Sequence, residues 1–192
     1  FPVGPDPATP PSPTAEAMAG VVDEALWGCW RRLLVEEVLV VGRRAPVEVP
    51  GAREAFDLIG LAYRHGAGVD QDGVLHPYPA GLAPGLDGEI PWAEGLGLAL
   101  HRAADQLPGR DLLVTGVGLA THDEDRRWEH LRDALVVVAD AAAGAIPVRG
   151  LWWQTPIDPR RDAGVGLLDH ERRPRPAADL LAVASRGEQL PT

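Results

Sequence analysis

The chain has 192 residues, of which 45% are hydrophobic, and a formal net charge of −10. This acidic balance excludes nucleic acid as a partner, because binding to phosphates requires a basic surface that displaces counterions. Cys29 is the only cysteine, and no apolar run approaches the roughly 20 residues of a membrane span. The sequence therefore predicts no internal disulfide, no cysteine-based zinc site and no membrane partner.

The first 50 residues are predicted to form a loop, a helix and a connector. Residues 1–13 are rich in proline and lack periodicity, which is typical of an extended loop. Ser12 and Pro13 supply an N-cap and a first-turn proline for a helix that extends to about Val35. Apolar residues recur along this helix at helical spacing and are predicted to be buried, namely Met18, Val21, Val22, Leu26, Trp30 and Leu33.

The middle of the chain predicts one strand, one long loop and one helix. Residues 56–63 form a nearly unbroken apolar run, which predicts a strand buried on both faces. Residues 64–91 contain many Gly and Pro and no helical pattern, so we predict a long loop. A helix is predicted from about Trp92 to Leu107, with Leu96 and Leu100 on its apolar side.

The next segment predicts a strand, a helix and a second strand, at residues 111–115, 124–143 and 147–153. Thr121 and Glu124 form a capping box for the helix, and Gly144 is expected as its left-handed C-cap. Two apolar strands joined by an amphipathic helix predict a right-handed crossover and a parallel sheet. The loops at the carboxyl ends of such strands carry the chemistry in parallel α/β folds.

The predicted fold class is therefore α/β, with 56–63, 111–115 and 147–153 as neighbouring parallel strands and a last helix at 176–184. Three parallel strands cannot close a barrel, and as an open sheet they leave both edges bare. We therefore expect a part of a larger β/α protein that folds poorly on its own.

Several phrases of the sequence support a more specific interpretation. They are the runs FDLIGLAYR at 56–64, LVTGVGLAT at 113–121 and VRGLWWQTPID at 148–158, together with Glu89-Ile90, Glu94-Gly95-Leu96, the charged run at 123–127 and Arg173-Pro-Arg-Pro. In order and spacing they resemble the C-terminal part of glycoside hydrolase family 1, the β-glucosidase family. The three runs resemble its sixth-, seventh- and eighth-strand phrases D-F-I-G-x-N-Y-Y, I-T-E-N-G and V-x-G-Y-x-x-W-S-L-L-D.

The resemblance implies a (β/α)8, TIM-type barrel of which this chain supplies strands six to eight. Residues 1–192 would then be the C-terminal portion of one barrel domain, with 1–50 as loop, helix and connector and 51–192 as three β/α units. The family's acid/base glutamate lies on the fourth strand, ahead of anything in this chain. The resemblance thus implies two partners, a carbohydrate ligand and the N-terminal half of the same barrel.

The departures from the family pattern fall on its catalytic residues. The position of the family's nucleophilic glutamate is Gly116, and the asparagine beside it is Val117. The sixth-strand Asn and second Tyr are Ala62 and Arg64. The sugar-stacking Trp of the eighth strand is Gln154, and its sugar-holding Glu-Trp pair corresponds to Arg161 and Asp162. Retaining hydrolysis needs two carboxylates about 5–5.5 Å apart, and glycine supplies none.

We therefore predict a family 1-like protein that cannot hydrolyse by the classical retaining route. A non-catalytic carbohydrate-binding or scaffolding protein is the alternative, and a diverged enzyme would need Asp158 or Asp162 as its carboxylate. The candidate substrate-binding residues are Tyr63, Arg64, His65, Trp152, Trp153, Gln154 and Asp158.

Structural roles compete with these candidates. Strand alternation would turn one of the two tryptophans into the core, Arg64 could form a surface salt bridge, and Asp158 could cap its loop. No metal site and no cofactor are predicted. With no visible signal sequence a cytoplasmic location is predicted, although the chain opens with Phe1 and its N terminus could be processed or truncated.

Overall fold

The computed structural model describes residues 3–188 and residue 190. The helices in chain order are α1 (Pro13–Asp23), α2 (Cys29–Glu36), α3 (Ala93–Gln106), α4 (Glu124–Ala143) and α5 (Pro176–Ser185). A π-helical turn at Glu24–Gly28 joins α1 and α2. The strands are β1 (Val3–Pro5), β2 (Val38–Leu39), β3 (Val47–Glu48), β4 (Leu58–Leu61), β5 (Gly66–Val69), β6 (Leu75–Tyr78), β7 (Asp111–Val117) and β8 (Val148–Trp153).

The main sheet has the order β4-β7-β8, and both of its strand pairs are parallel. This confirms the three predicted neighbouring strands and the α/β class. β4 is shorter than predicted, and β7 continues through Gly116 to Val117. The register between β7 and β8 shifts between Val114 and Val117, which is an irregularity at the carboxyl end of the sheet.

Helices α3, α4 and α5 cover one face of the main sheet. Leu112 and Val114 of β7 are fully buried in this layer, together with Leu100 of α3 and Leu131 of α4. The other face is open, because Leu58 of β4 is 46% exposed and Trp152 of β8 is 63% exposed. A sheet that is covered on one side only is what a segment of a barrel wall looks like.

The helix predicted after Ser12 forms, but the predicted burial of its apolar residues was wrong. Ser12 accepts a hydrogen bond from the amide of Ala15, as an N-cap does. The buried residues of α1 are Ala15 and Ala19, which pack with Val69 of β5. Four of the predicted core residues are exposed instead, namely Met18, Val21, Leu26 and Trp30, while Val22 and Leu33 are half-buried. Periodicity identified the apolar face of the helix but not what would cover it.

Two segments predicted as loops contain strands. β1, within residues 1–13, pairs parallel to β5, and β5 pairs antiparallel to β6, so residues 64–91 hold a hairpin. The hairpin turn is ordered by Asp70, whose carboxylate accepts from the amides of Asp72 and Val74 at 3.0 and 2.8 Å. These strands have three or four residues and include Gly and Pro, so they lack the alternation that predicts a strand.

Both predicted caps of the 124–143 helix are displaced by one or two residues. Asp123 is the N-cap of α4, because its carboxylate accepts from the amides of Asp125 and Arg126 at 3.0 and 3.1 Å. Thr121 instead accepts from the Asp123 amide. At the other end Gly144 has φ of −77°, and the left-handed residue is Ala145, with φ of +68°. No helix among the described residues is long and apolar enough to cross a membrane.

Candidate functional site

The carboxyl ends of β4, β7 and β8 bring all seven candidate residues and Gly116 to one end of the main sheet. Gly116 lies inside β7, directly beside β4. A Cβ atom at this position would lie 3.0 Å from Cα and 3.2 Å from the carbonyl carbon of Ala62. These contacts are tighter than ordinary ones, so a side chain at 116 requires the backbone of Ala62 to shift by a few tenths of an ångström.

Tyr63, directly after β4, is buried, with 3% of its surface exposed. Its hydroxyl donates to the carbonyl oxygen of Trp92 at 2.6 Å, which ties the end of β4 to the start of α3. Burial, and to a smaller extent the charge of Glu94, raises the pKa of this hydroxyl above its ordinary value. Tyr63 is therefore a neutral residue that positions the loop.

Arg64 and His65 follow Tyr63 and lie next to Glu89. The Arg64 guanidinium donates through Nε to Oε2 of Glu89 at 2.9 Å, and its Nη2 lies 2.8 Å from Oε1. Nη2 also lies 3.8 Å from the Asp87 carboxylate, and Nδ1 of His65 lies 3.8 Å from Glu89. Two carboxylates of the chain itself already neutralise Arg64, which leaves little positive charge for an anionic ligand.

The two tryptophans of β8 face opposite sides of the sheet. Trp153 is 6% exposed, lies edge-on to the His130 ring of α4 at 6.1 Å, and donates through Nε1 to the carbonyl of Val165 at 2.9 Å. Trp152 is 63% exposed and therefore lies on the open face. Of the pair, only Trp152 offers a ring face to a ligand.

Gln154 comes directly after β8 and is half-buried. Its backbone N–H donates to the carbonyl oxygen of Val117 at 2.7 Å, which continues the β7–β8 pairing past the end of β8. Its Cβ would also be 3.6 Å from a Cβ placed on Gly118. The backbone of Gln154 is thus fixed beside Gly118, at the same end of the sheet as Trp152.

Asp158 is 3% exposed and has internal partners for both carboxylate oxygens. Oδ1 accepts from the amides of Val165 and Gly166 at 2.8 and 2.6 Å, and Oδ2 accepts from Arg175 at 2.6 Å. Burial acts to raise the pKa of this carboxyl, but these hydrogen bonds together outweigh burial and hold the pKa below its ordinary value. Asp158 is a charged group that closes its own loop.

Asp158 is one member of a partly buried charged cluster that joins the loops after β7 and β8, here called the loop clasp (Asp158, Arg175, Glu124 and Arg127). Arg175 also pairs with Glu124, which lies 2.5 Å from Nη1 of Arg127. Arg127 is fully buried and donates to the carbonyl of Gly164 at 2.8 Å and to that of Thr121. Neither Arg127 nor Arg175 was predicted from the sequence as a site residue. Arg175 lies in the Arg-Pro-Arg-Pro phrase, and Arg127 lies three residues after Glu124, a spacing that predicts an ion pair.

His130 is a buried imidazole behind Trp153, with 9% of its surface exposed. Burial lowers its pKa to about 4 from an ordinary 6.5, while Asp133 and a hydrogen bond to the Gly118 backbone act weakly in the opposite direction. Arg126 also acts to lower it. The ring is therefore neutral at pH 7 and packs as an uncharged core group.

We expect the protein to lose stability as the pH falls from about 6.5 to about 4. In this window the unfolded chain binds a proton at His130 and the folded chain does not, so protonation favours unfolding. The loss approaches about 3 kcal/mol, because each pKa unit is worth about 1.4 kcal/mol. Urea unfolding at a series of pH values measures it, and His130→Gln should flatten the slope in this window. An unchanged slope in the variant would contradict the assignment.

Among residues 3–188 and 190 there is no group of three or more His, Cys, Asp or Glu side chains arranged to hold a metal ion. The acidic residues at 123–125 begin α4, where the Asp123 carboxylate caps backbone amides. The chemistry available at this end of the sheet is therefore that of an exposed aromatic face, amide groups and internally paired charges.

The fold and the position of the site define the class, which is a partial (β/α)8-barrel glycosidase fold. The solved structures that it matches include a β-glycosidase from Pyrococcus horikoshii, with a TM-score of 0.78 and 19% identity over 100% of this chain. They also include the family 1 β-glucosidase from Thermotoga maritima, with a TM-score of 0.75 and 13% identity over 100% of this chain. A further β-glycosidase is 25% identical over 93% of this chain, with a TM-score of 0.68.

The chain spans only about half the length of these proteins, 47% of the first and 50% of the second. No protein-family model matches the sequence, and the comparison with curated proteins finds no match. The resemblance to family 1 β-glucosidases is thus confirmed at the level of the fold, as a segment of about half of such a protein.

Proposed function

We propose that this chain forms part of a β-glucosidase-like protein that binds carbohydrate and does not hydrolyse it by the family's double-displacement route. The observation that carries the proposal is Gly116. Its position is the one that the family resemblance assigns to the nucleophile, and a Cβ atom there would already lie 3.0 Å from the Cα of Ala62. Retaining hydrolysis requires an attacking carboxylate, and this position provides none.

The carboxylates that could replace the nucleophile are poorly placed to do so. Both carboxylate oxygens of Asp158 already accept hydrogen bonds, from the Val165 amide and from Arg175. Because Asp158 is also buried, its carboxylate is not available to attack a sugar. Asp162 is exposed in the loop beyond the strand ends. A diverged enzyme that uses Asp162 is the competing function, and the measurement of turnover distinguishes the two.

Trp152 and Gln154 are the residues that we propose to contact a sugar. Aromatic rings bind sugars through their apolar faces, and Trp152 is 63% exposed on the open side of the sheet. Gln154 follows two residues later, directly after β8, and its side chain carries both a donor and an acceptor. The other five candidates make contacts within the chain, and we propose that they do not contact the sugar. They are Tyr63, Arg64, His65, Trp153 and Asp158.

We expect Trp152→Ala to weaken the binding of an aryl β-glucoside by the full-length protein about tenfold. An aromatic contact is worth roughly 0.5–1.5 kcal/mol, and 1.4 kcal/mol is a factor of ten. Isothermal titration measures the affinity, with product release followed in the same samples. Trp152→Phe, which keeps an aromatic face, is the matched control and should lose much less. Equal affinity in all three proteins would remove Trp152 from the site.

Two further parts of the proposal concern the whole protein. The other half of the barrel is the proposed partner, because the matched glycosidases are about twice as long as this chain. A cytoplasmic location stays a prediction from the sequence.

A further inference from the structure

A short loop at residues 83–89 lies across the carboxyl ends of β4 and β7. The backbone N–H of Leu86 donates to the carbonyl oxygen of Ala120, in the loop after β7, at 2.7 Å. The loop also closes on itself, because the N–H of Gly85 donates to the carbonyl oxygen of Glu89 at 2.7 Å. These backbone bonds fix Glu89 beside the ends of both strands.

The carboxylate of Glu89 is held on the open side of the main sheet by Arg64. Tyr63 points toward α3, and successive side chains of an extended chain alternate, so Ala62 and Arg64 point to the open side. Arg64 binds both carboxylate oxygens, at 2.8 and 2.9 Å, and 25% of the Glu89 side chain stays exposed. The two oxygens of a carboxylate offer about four acceptor sites, and Arg64 occupies two of them. Glu89 is therefore fixed, accessible to a ligand and able to accept further hydrogen bonds.

Asp87 adds a second carboxylate to this group, here called the charged wall (Arg64, Asp87 and Glu89). Its Oδ1 accepts from the N–H of Glu89 at 3.1 Å, and its Oδ2 lies 3.8 Å from Nη2 of Arg64. Nδ1 of His65 lies 3.8 Å from Oε1 of Glu89 at the edge of the wall. Two carboxylates thus share one guanidinium. Such a surface attracts hydroxyl donors and repels an anionic group.

The charged wall lies across β7 from Trp152 and Gln154, the two residues proposed to contact a sugar. β4 and β8 flank β7 in the sheet, and neighbouring strands lie about 4.8 Å apart, so the two sides are separated by roughly 10 Å. Gly116 lies near the end of β7 and Gly118 follows that end, and neither has a side chain to fill the space. The gap is wide enough for one sugar ring with its hydroxyl groups.

We infer that Glu89 contacts the sugar from the side opposite Trp152, and that the site takes a neutral glycoside rather than an acidic one. A sugar hydroxyl that donates to Glu89 forms a charge-assisted hydrogen bond, which is stronger than a neutral one. The family resemblance assigns the sugar-holding carboxylate to the position of Arg161, which is exposed and carries no carboxylate, so Glu89 supplies that group from the opposite side. The inference rests on the proposed carbohydrate binding, and it names a contact and a class of ligand for that site.

The test measures the affinity of the full-length protein for an aryl β-glucoside and for the matching aryl β-glucuronide by isothermal titration. Wild type should bind the glucuronide at least about tenfold more weakly, because the carboxylate of this ligand lies against two like charges. Glu89→Gln should weaken glucoside binding about tenfold, since a hydrogen bond to a charged group is lost, and should narrow the difference between the two ligands. Asp87→Asn is the matched control, because it removes the same charge and keeps the oxygen that accepts the Glu89 N–H. This control should bind the glucoside within about twofold of wild type.

The outcomes separate the inference from the proposed function. If Glu89→Gln binds the glucoside as wild type does while Trp152→Ala weakens binding, the inference is overturned and the proposed function stands. An equal loss in Asp87→Asn would also overturn it, because the effect would then come from the charge of the wall and not from a contact. If Glu89→Gln does not fold, as judged by its thermal unfolding, equal affinity of wild type for the glucoside and the glucuronide is the result that would overturn the inference. Binding of neither ligand by wild type would remove the proposed function and this inference together.

Discussion

The full-length protein is expected to turn over an aryl β-glucoside at a rate near background, and Gly116→Glu is expected not to raise it. Removing the key member of a catalytic unit typically costs on the order of 10⁴ to 10⁶ in rate. A glutamate at 116 would place its Cβ 3.0 Å from the Cα of Ala62, so the backbone beside it would have to shift by a few tenths of an ångström to accept the new side chain. Productive geometry is held within about 0.5 Å in working sites, and the neighbours that would hold it are absent here.

Those neighbours differ from the family pattern in named ways. The position of the supporting Tyr is Arg64, which pairs with Glu89 at 2.8 Å, and the position of the sugar-holding Glu is Arg161, which is exposed in the loop after β8. A new glutamate at 116 would therefore lack the two neighbours to which the family resemblance assigns its support. Gly116→Ala separates folding from chemistry, because it introduces the same Cβ contact without a carboxylate.

The measurement is release of the aryl group, together with mass spectrometry after incubation with a 2-fluoro glycoside that traps covalent intermediates. Wild type, Gly116→Glu and Gly116→Ala should all lack an adduct. A covalent adduct, or turnover well above background, would mean that another carboxylate acts as nucleophile. Asp162→Asn should then abolish it, since Asp162 is exposed beyond the strand ends whereas Asp158 is bound inside its loop.

The main sheet could be predicted from sequence because its strands are apolar runs separated by helices of crossover length. β7 buries Leu112 and Val114 among helices, and burial of this kind leaves a clear hydrophobic signal. β1, β5 and β6 could not be predicted in the same way, since each has only three or four residues and depends on pairing between distant segments. Local pattern contains no information about such pairing.

The environment of the apolar helix face was mispredicted for a different reason. The spacing of Leu26 and Trp30 identifies a face that avoids water, and in most domains such a face is covered by the same chain. Here Leu26 and Trp30 line an apolar groove beside the main sheet and stay 43% and 56% exposed, so the face is apolar although no described residue covers it fully. The same reasoning explains the exposed ring of Trp152 on the open side of the sheet.

The candidate site was predicted as a location but not as a set of contacts. Residues at and after strand ends could be identified from topology alone, which is why all seven candidates lie at one end of the sheet. Whether a side chain faces a ligand or its own loop depends on backbone geometry that the sequence does not show. Asp158 is the clearest case, because its partners Val165, Gly166 and Arg175 lie seven, eight and seventeen residues away.

Asp158→Ala is expected to destabilise the protein by about 1–3 kcal/mol, the usual cost of leaving buried hydrogen-bond donors without their acceptor, since Arg175 is half-buried and keeps Glu124 as a partner. Arg175 would lose its bond at 2.6 Å, and the amides of Val165 and Gly166 would lose their acceptor. Urea unfolding measures the change in the free energy of unfolding. Asp162→Ala, at an exposed position four residues away, is the matched control and should stay within about 0.5 kcal/mol of wild type.

A double-mutant cycle that combines Asp158→Ala with Arg175→Leu should give a coupling energy of at least about 1 kcal/mol, since the two residues share one network.

The pH dependence of stability provides a second, independent test of Asp158. Because the folded-state pKa of Asp158 lies below its unfolded value, its contribution is complete above about pH 4 and is lost as the pH falls through the folded-state pKa. This window lies below that of His130, so Asp158→Asn should flatten the most acidic part of the stability curve and leave the part between about pH 4 and 6.5 unchanged. The opposite outcome would be that the two single substitutions change the free energy of unfolding additively and that Asp158→Asn leaves the stability below about pH 4 unchanged. This result would show that Asp158 and Arg175 do not act together in the loop clasp, and that backbone hydrogen bonds alone hold the loops after β7 and β8.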